Sequence, residues 1–118
     1  MKNKFGVLLL FISVSLVSCA HLNNPHPMDM SQAIQNAKIP SDHEALAKHY
    51  EDTAKEMQSK VQEHKKMLEQ YEAQRQFYGK RGMDMESMCK ALIQYYGQAA
   101  EMNMEMAKSH RKMAVDTK

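Results

Sequence analysis

The sequence predicts an all-α fold: a long antiparallel two-helix hairpin with a coiled-coil-like seam, pairing with a second copy into a four-helix bundle. Three observations predict it. From Ser41 to about Arg75 there is no Gly or Pro, and Ala, Leu, Glu, Lys, Gln and Met dominate, all good helix formers. Two segments then carry apolar and aromatic residues at alternating spacings of four and three, sustained over several heptads. Between them, Gly79-Lys80-Arg81-Gly82 is the one plausible breaker. The predicted helices run from about 42 to 76 and from about 84 to 115, joined by a turn.

Taken in order, the chain opens on a basic leader, Lys2 and Lys4, followed by an apolar run from Phe5 to Val17. Thirteen residues are too few for a spanning helix, which needs ~20. They match the h-region of a secretory signal, with no stop-transfer pattern after it. The run ends in Leu16-Val17-Ser18-Cys19. Basic leader, apolar core, small residue and cysteine in that order resemble the lipobox of bacterial lipoproteins.

The resemblance covers the first twenty residues. It implies removal of residues 1–18 as a signal peptide, attachment of diacylglycerol to the Cys19 sulfur, and acylation of the new amino group. Each buried methylene contributes ~0.8 kcal/mol, so two or three chains anchor stably where one does not. Ala20 stands where an Asp would resemble inner-membrane retention. The implied location is the cell envelope, at the outer membrane facing the periplasm.

Processing changes the electrostatics. Fourteen basic and fourteen acidic residues remain after residue 18, so the net side-chain charge becomes zero. That removes any case for nucleic-acid binding, which needs a basic patch. With Cys19 a thioether, Cys89 is the one remaining thiol, and no intrachain disulfide is available to it. A mature chain of 100 residues without Trp buries only a thin core, so a homo-oligomer is expected.

Residues 19–40 read as the lipidated N-terminus and a flexible tether. Asn23-Asn24-Pro25, His26-Pro27 and Pro40 punctuate it. Twenty residues of flexible coil span roughly 25 Å, and Ser31 to Lys38 has the composition for a short helical turn. The helical part, 41–118, begins at Ser41-Asp42-His43-Glu44, which reads as a capping box. Asp84 or Ser87 is the expected cap of the second long helix.

On the first helix one seam row is His43, Tyr50, Met57, His64, Tyr71 and Tyr78; the other is Ala47, Ala54, Val61, Leu68 and Arg75. On the second the rows are Cys89, Tyr96, Asn103 and His110, then Ile93, Ala100, Ala107 and Ala114. A further row, Leu92, Ala99, Met106 and Met113, widens its apolar stripe. A displacement of 46 residues superimposes Ala-Leu-x3-Tyr-x3-Ala-x9-His-x-Lys-Met on itself, which points to a duplicated helix.

The sharpest chemical constellation is His43, His64, Cys89 and His110. The members of each helix's pair are 21 residues, about 31 Å, apart. They cannot meet at one ion within a monomer. In one hairpin register His43 faces His110 and His64 faces Cys89. That gives two half-sites for Zn²⁺ or a copper ion, which pairing of two hairpins completes. In the other, centred on Lys80-Arg81, Tyr50 faces His110, His64 faces Tyr96 and Tyr71 faces Cys89. That register builds a polar seam of His–Tyr pairs without metal.

Met102 and Met106, on one side of the second helix, are secondary thioether ligands for Cu(I). Methionine more often serves as adaptable apolar filler or contact surface. Glu-x-x-His is absent from both helices, which argues against a di-iron bundle. So are nucleophile elbow, phosphate loop, CxxC and HExxH. The expected function is non-enzymatic: a membrane-anchored structural or interaction lipoprotein with an unspecified protein partner. The alternatives are a metal-binding or metal-stress lipoprotein, and a holdase-like periplasmic chaperone. The chain lacks the Leu-Thr-x-x-Gln motif of the small Spy-like chaperones.

Overall fold

The computed structural model describes residues 28–117. The signal segment, Cys19 and the first part of the tether lie outside the described residues. Three helices follow in order: α1 (Met30–Asn36), α2 (Pro40–Ala73) and α3 (Arg75–Asp116), the last broken at Gly79. The two long helices pack antiparallel as the predicted hairpin, and α1 rests against α2. Among the described residues there is no strand, and no helix is long and apolar enough to cross a membrane.

The tether's second half is therefore partly helical. Asp29 caps α1, its carboxylate accepting the Gln32 N–H at 3.1 Å. The start of α2 corrects the expected cap at Ser41. Pro40 takes the first helical position, where its missing N–H costs nothing and its fixed φ suits the helix. The N-cap is Ile39, whose side chain accepts no hydrogen bond. Asp42 supplies the reciprocal half of a capping box instead, accepting the N–H groups of Lys38 and Ile39 at 3.0 and 3.2 Å. Those bonds hold its carboxyl below the usual range.

The turn also differs from expectation, and lies earlier. α2 ends at Ala73, and the chain reverses through Gln74, whose carbonyl accepts from Phe77 and Tyr78. The reversal closes at Gly79, with φ 54° and ψ −135°, a conformation costly to any residue with a Cβ. Helix resumes directly at Lys80, so neither Asp84 nor Ser87 is a cap. Ser87 bonds back to the Met83 carbonyl inside the helix. Gly82, expected in the turn, is helical and buried; a Cβ there would lie 2.7 Å from the Tyr78 Cβ. The long helices thus extend over 40–73 and 80–116 rather than 42–76 and 84–115.

The core draws mainly on the predicted seam rows, but Leu46, Gly82 and Glu86 are buried outside them and Leu68 and Ile93 are only half-buried. Ala47, Ala54 and Val61 of α2 meet Cys89, Ala100, Ala107 and Ala114 of α3, and Leu46 is the largest fully buried side chain. Arg75 leaves the seam and forks onto Glu86, at 2.9 and 2.7 Å, covering a carboxylate that is otherwise buried. That bidentate bond keeps Glu86 ionised, its pKa lowered.

The glycines separate two effects. Gly79→Ala meets open space but must hold a positive φ, so it is expected to destabilise by about 1–2 kcal/mol. Gly97→Ala, in helical backbone with equally open space, is expected to stabilise by about 0.5–1 kcal/mol. Urea unfolding followed by circular dichroism measures both signs.

Candidate functional site

The seam holds two aromatic layers. In the first, His110 lies between two residues of α2 that are one heptad apart. Its ring stacks on Tyr50 with centroids 5.6 Å apart and planes 9° apart. On its other side the His110 Nδ1 faces the His43 Nδ1 at 3.2 Å. The His43 and His110 centroids are 5.5 Å apart with planes 25° apart. That separation exceeds the N···N distance by about the two ring radii, so the imidazoles lie end to end and their Nδ1 lone pairs meet nearly on a line. In the second layer His64 stacks on Tyr96, centroids 5.6 Å apart and planes 14° apart.

Both predicted registers are thus partly realised. His43 meets His110, as in the first; Tyr50 meets His110 and His64 meets Tyr96, as in the second. The two registers exclude each other only if each seam residue faces a single partner. A side chain at a seam position instead enters the space between two residues a heptad apart. Tyr71 also makes an edge-on contact with Tyr78, 5.5 Å and 70°.

The 46-residue repeat has a structural counterpart. Exchanging the copies carries Tyr50 onto Tyr96 and His110 onto His64, and so carries one His–Tyr stack onto the other. The matching centroid distances show an approximate two-fold across the hairpin. The same exchange carries Ala54 onto Ala100, both buried, and His43 onto Cys89. Cys89 is likewise buried, but no hydrogen bond joins it to the His64 Nδ1 as one joins His43 to His110. The His64 Nδ1 is buried and has no hydrogen-bond partner among the described residues.

Chemically, the His43–His110 contact is a hydrogen bond between two imidazoles. One Nδ1 carries a proton and donates it; the other accepts. A single added proton, taken at an outer nitrogen, preserves the bond; two added protons set N–H against N–H. Burial, and then the neighbouring His43, lower the His110 pKa from the ordinary imidazole value.

Among the described residues no three of His, Cys, Asp and Glu lie close enough to hold one ion. Met102 and Met106 sit on the outer face of α3, 70% and 44% exposed, and the structure does not bring them to the seam. An open groove of about 460 Å³ is lined by Glu44, Lys48, Asp52 and Arg111. Within it Lys48 is paired with Asp52 and Arg111 with Glu51.

One feature escaped the seam analysis: a second apolar seam on α3. Met85, Met88, Leu92, Tyr95, Ala99, Met102 and Met106 follow one another at alternating spacings of three and four, and Met113 continues the row. This face points away from α2, with Met88, Tyr95 and Met102 all more than half exposed. The row Leu92, Ala99, Met106 and Met113 belongs to this outer face and does not widen the inner stripe. No family model, curated protein or solved structure matches the chain.

The lowered His110 pKa sets a sign. The unfolded chain takes up the proton first, so this site's stabilisation is complete above about pH 6.5 and falls as pH drops below it. His110→Phe keeps the stack on Tyr50 but cannot titrate. Its deficit in unfolding free energy relative to wild type is expected to be largest near pH 8 and to shrink toward pH 5, measured by urea titration across that range.

Proposed function

We propose that the chain is a non-enzymatic, lipid-anchored interaction protein of the cell envelope. Acyl groups on Cys19 hold it at the periplasmic face of the outer membrane, and the hairpins pair through the outer face of α3 into a four-helix assembly. The observation that carries this reading is the exposed heptad seam from Met85 to Met106. Soluble monomers rarely leave long contiguous apolar faces open, and a 3–4 repeat is the pattern of a helix that meets another helix.

The flanking residues favour a second copy as occupant. Asp84, Ala91, Gln98, Glu105 and Lys112 border the seam on the side away from α2, acidic at one end and basic at the other. Antiparallel pairing about a two-fold near Gln98 places Asp84 of one copy beside Lys112 of the other. It also sets Tyr95 over the small Ala99. A two-fold of this kind is self-complementary and closes at the dimer.

Sedimentation equilibrium of the chain from residue 20 onward, without its lipid, tests the pairing. A dimer is expected at micromolar concentration, and Met102→Glu, which leaves the inner seam untouched, is expected to shift it to monomer. A folded wild-type monomer at all concentrations would end the proposal. Suppression of client aggregation by that monomer would instead assign the methionine face to a chaperone.

A further inference from the structure

We propose that the inner seam carries two sites for a soft, closed-shell monovalent cation of the Cu(I) class: one between His43 and His110, the other between His64 and Cys89, exchanged by the approximate two-fold. This goes beyond the interaction reading and does not depend on dimerisation.

The first site rests on measured geometry. The two Nδ1 atoms are 3.2 Å apart with their rings end to end. Collinear lone pairs suit an ion that takes two ligands on a line. They do not suit Zn²⁺, which gathers four tetrahedrally. The absence, among the described residues, of any third His, Cys, Asp or Glu beside such a pair agrees with low coordination. Two metal–imidazole bonds end to end span roughly 4 Å, so the rings need to part by less than an ångström. Tyr50, stacked on His110, orients the ring in the meantime.

The second site rests on the pseudo-symmetry and on two further observations. Cys89 is buried, 4% exposed, and is the free thiol of the described residues. The His64 Nδ1 is buried and unpartnered, and a buried nitrogen left without a partner costs about 1–3 kcal/mol. The exchange that carries His110 onto His64 makes Cys89 the counterpart of His43, although its sulfur does not reach the His64 Nδ1 as the His43 Nδ1 reaches that of His110. Imidazole and thiolate are both ligands of soft monovalent ions.

The proton balances differ. At the histidine pair the bridging proton moves from Nδ1 to the same ring's Nε2, both imidazoles stay neutral, and none is released. At the second site the ion displaces the Cys89 thiol proton, which goes to solvent, and leaves a neutral thiolate–cation–imidazole unit.

The test uses the full chain in detergent with Cys19→Ala throughout, so that Cys89 is the one thiol, and Ag(I) as a redox-inert probe in equilibrium dialysis. Expected are two bound ions per chain and release of one proton in a weakly buffered titration. His110→Phe is expected to remove one ion without changing proton release. Cys89→Ser is expected to remove the other ion together with the proton. The double variant keeps every methionine. If it binds Ag(I) as tightly and in the same number as wild type, the seam sites are overturned and the thioethers are the ligands. Circular dichroism checks that each variant stays helical, and His110→Tyr serves where His110→Phe does not fold.

Discussion

The close approach of two helices along a row of alanines is the constraint on which the rest of this hairpin depends. Ala47, Ala54, Ala100, Ala107 and Ala114 are all at most 2% exposed. Small side chains bring the backbones together, and the larger seam residues then cannot face one another head on. His110 lies lengthwise between two residues of the opposite helix. That is why His110 touches both His43 and Tyr50, why the imidazoles meet end to end, and why the tyrosine stacks are nearly parallel. The chemistry of the seam follows from its lack of bulk.

The fold class and seam rows were legible because a heptad pattern over thirty residues leaves little alternative to a helix with one buried edge. The ends were not legible, since competing local signals lie within two residues of each other. Ser41 has a capping side chain, yet Pro40 just before it is preorganised for the first turn, and Asp42 caps from inside. Gly79 and Gly82 look alike in sequence. One supplies a positive φ, and the other makes room for Tyr78 within a helix. The two hairpin registers differ by one heptad, and His43, Tyr50 and His110 satisfy both, which pairwise reasoning cannot represent. The lipobox reading lies outside the described residues and stands on sequence resemblance alone.

The approximate two-fold adds something neither helix shows by itself. If a helix with Tyr and His fourteen residues apart is duplicated and folded back on itself, each Tyr meets the other copy's His automatically. One event of duplication thereby creates two equivalent stacks. Divergence is then confined to the residues that flank them, and it is there that His43 and Cys89 differ.

The same alanine row bears on association. Burying an alanine contributes far less than burying a leucine, because the transfer free energy scales with apolar area. The inner seam has one large fully buried side chain, Leu46, while Met85, Met88, Tyr95, Met102 and Met106 of α3 lie outside it. The hairpin is therefore inverted relative to an ordinary helical pair, with its small residues in the seam and its bulk at the surface. An isolated copy gains little from its own core, and most of the apolar area available to this chain is recovered only when α3 meets another surface. Stability and assembly are consequently linked. Whatever covers the outer seam binds the folded hairpin and not the unfolded chain, and so stabilises it by mass action.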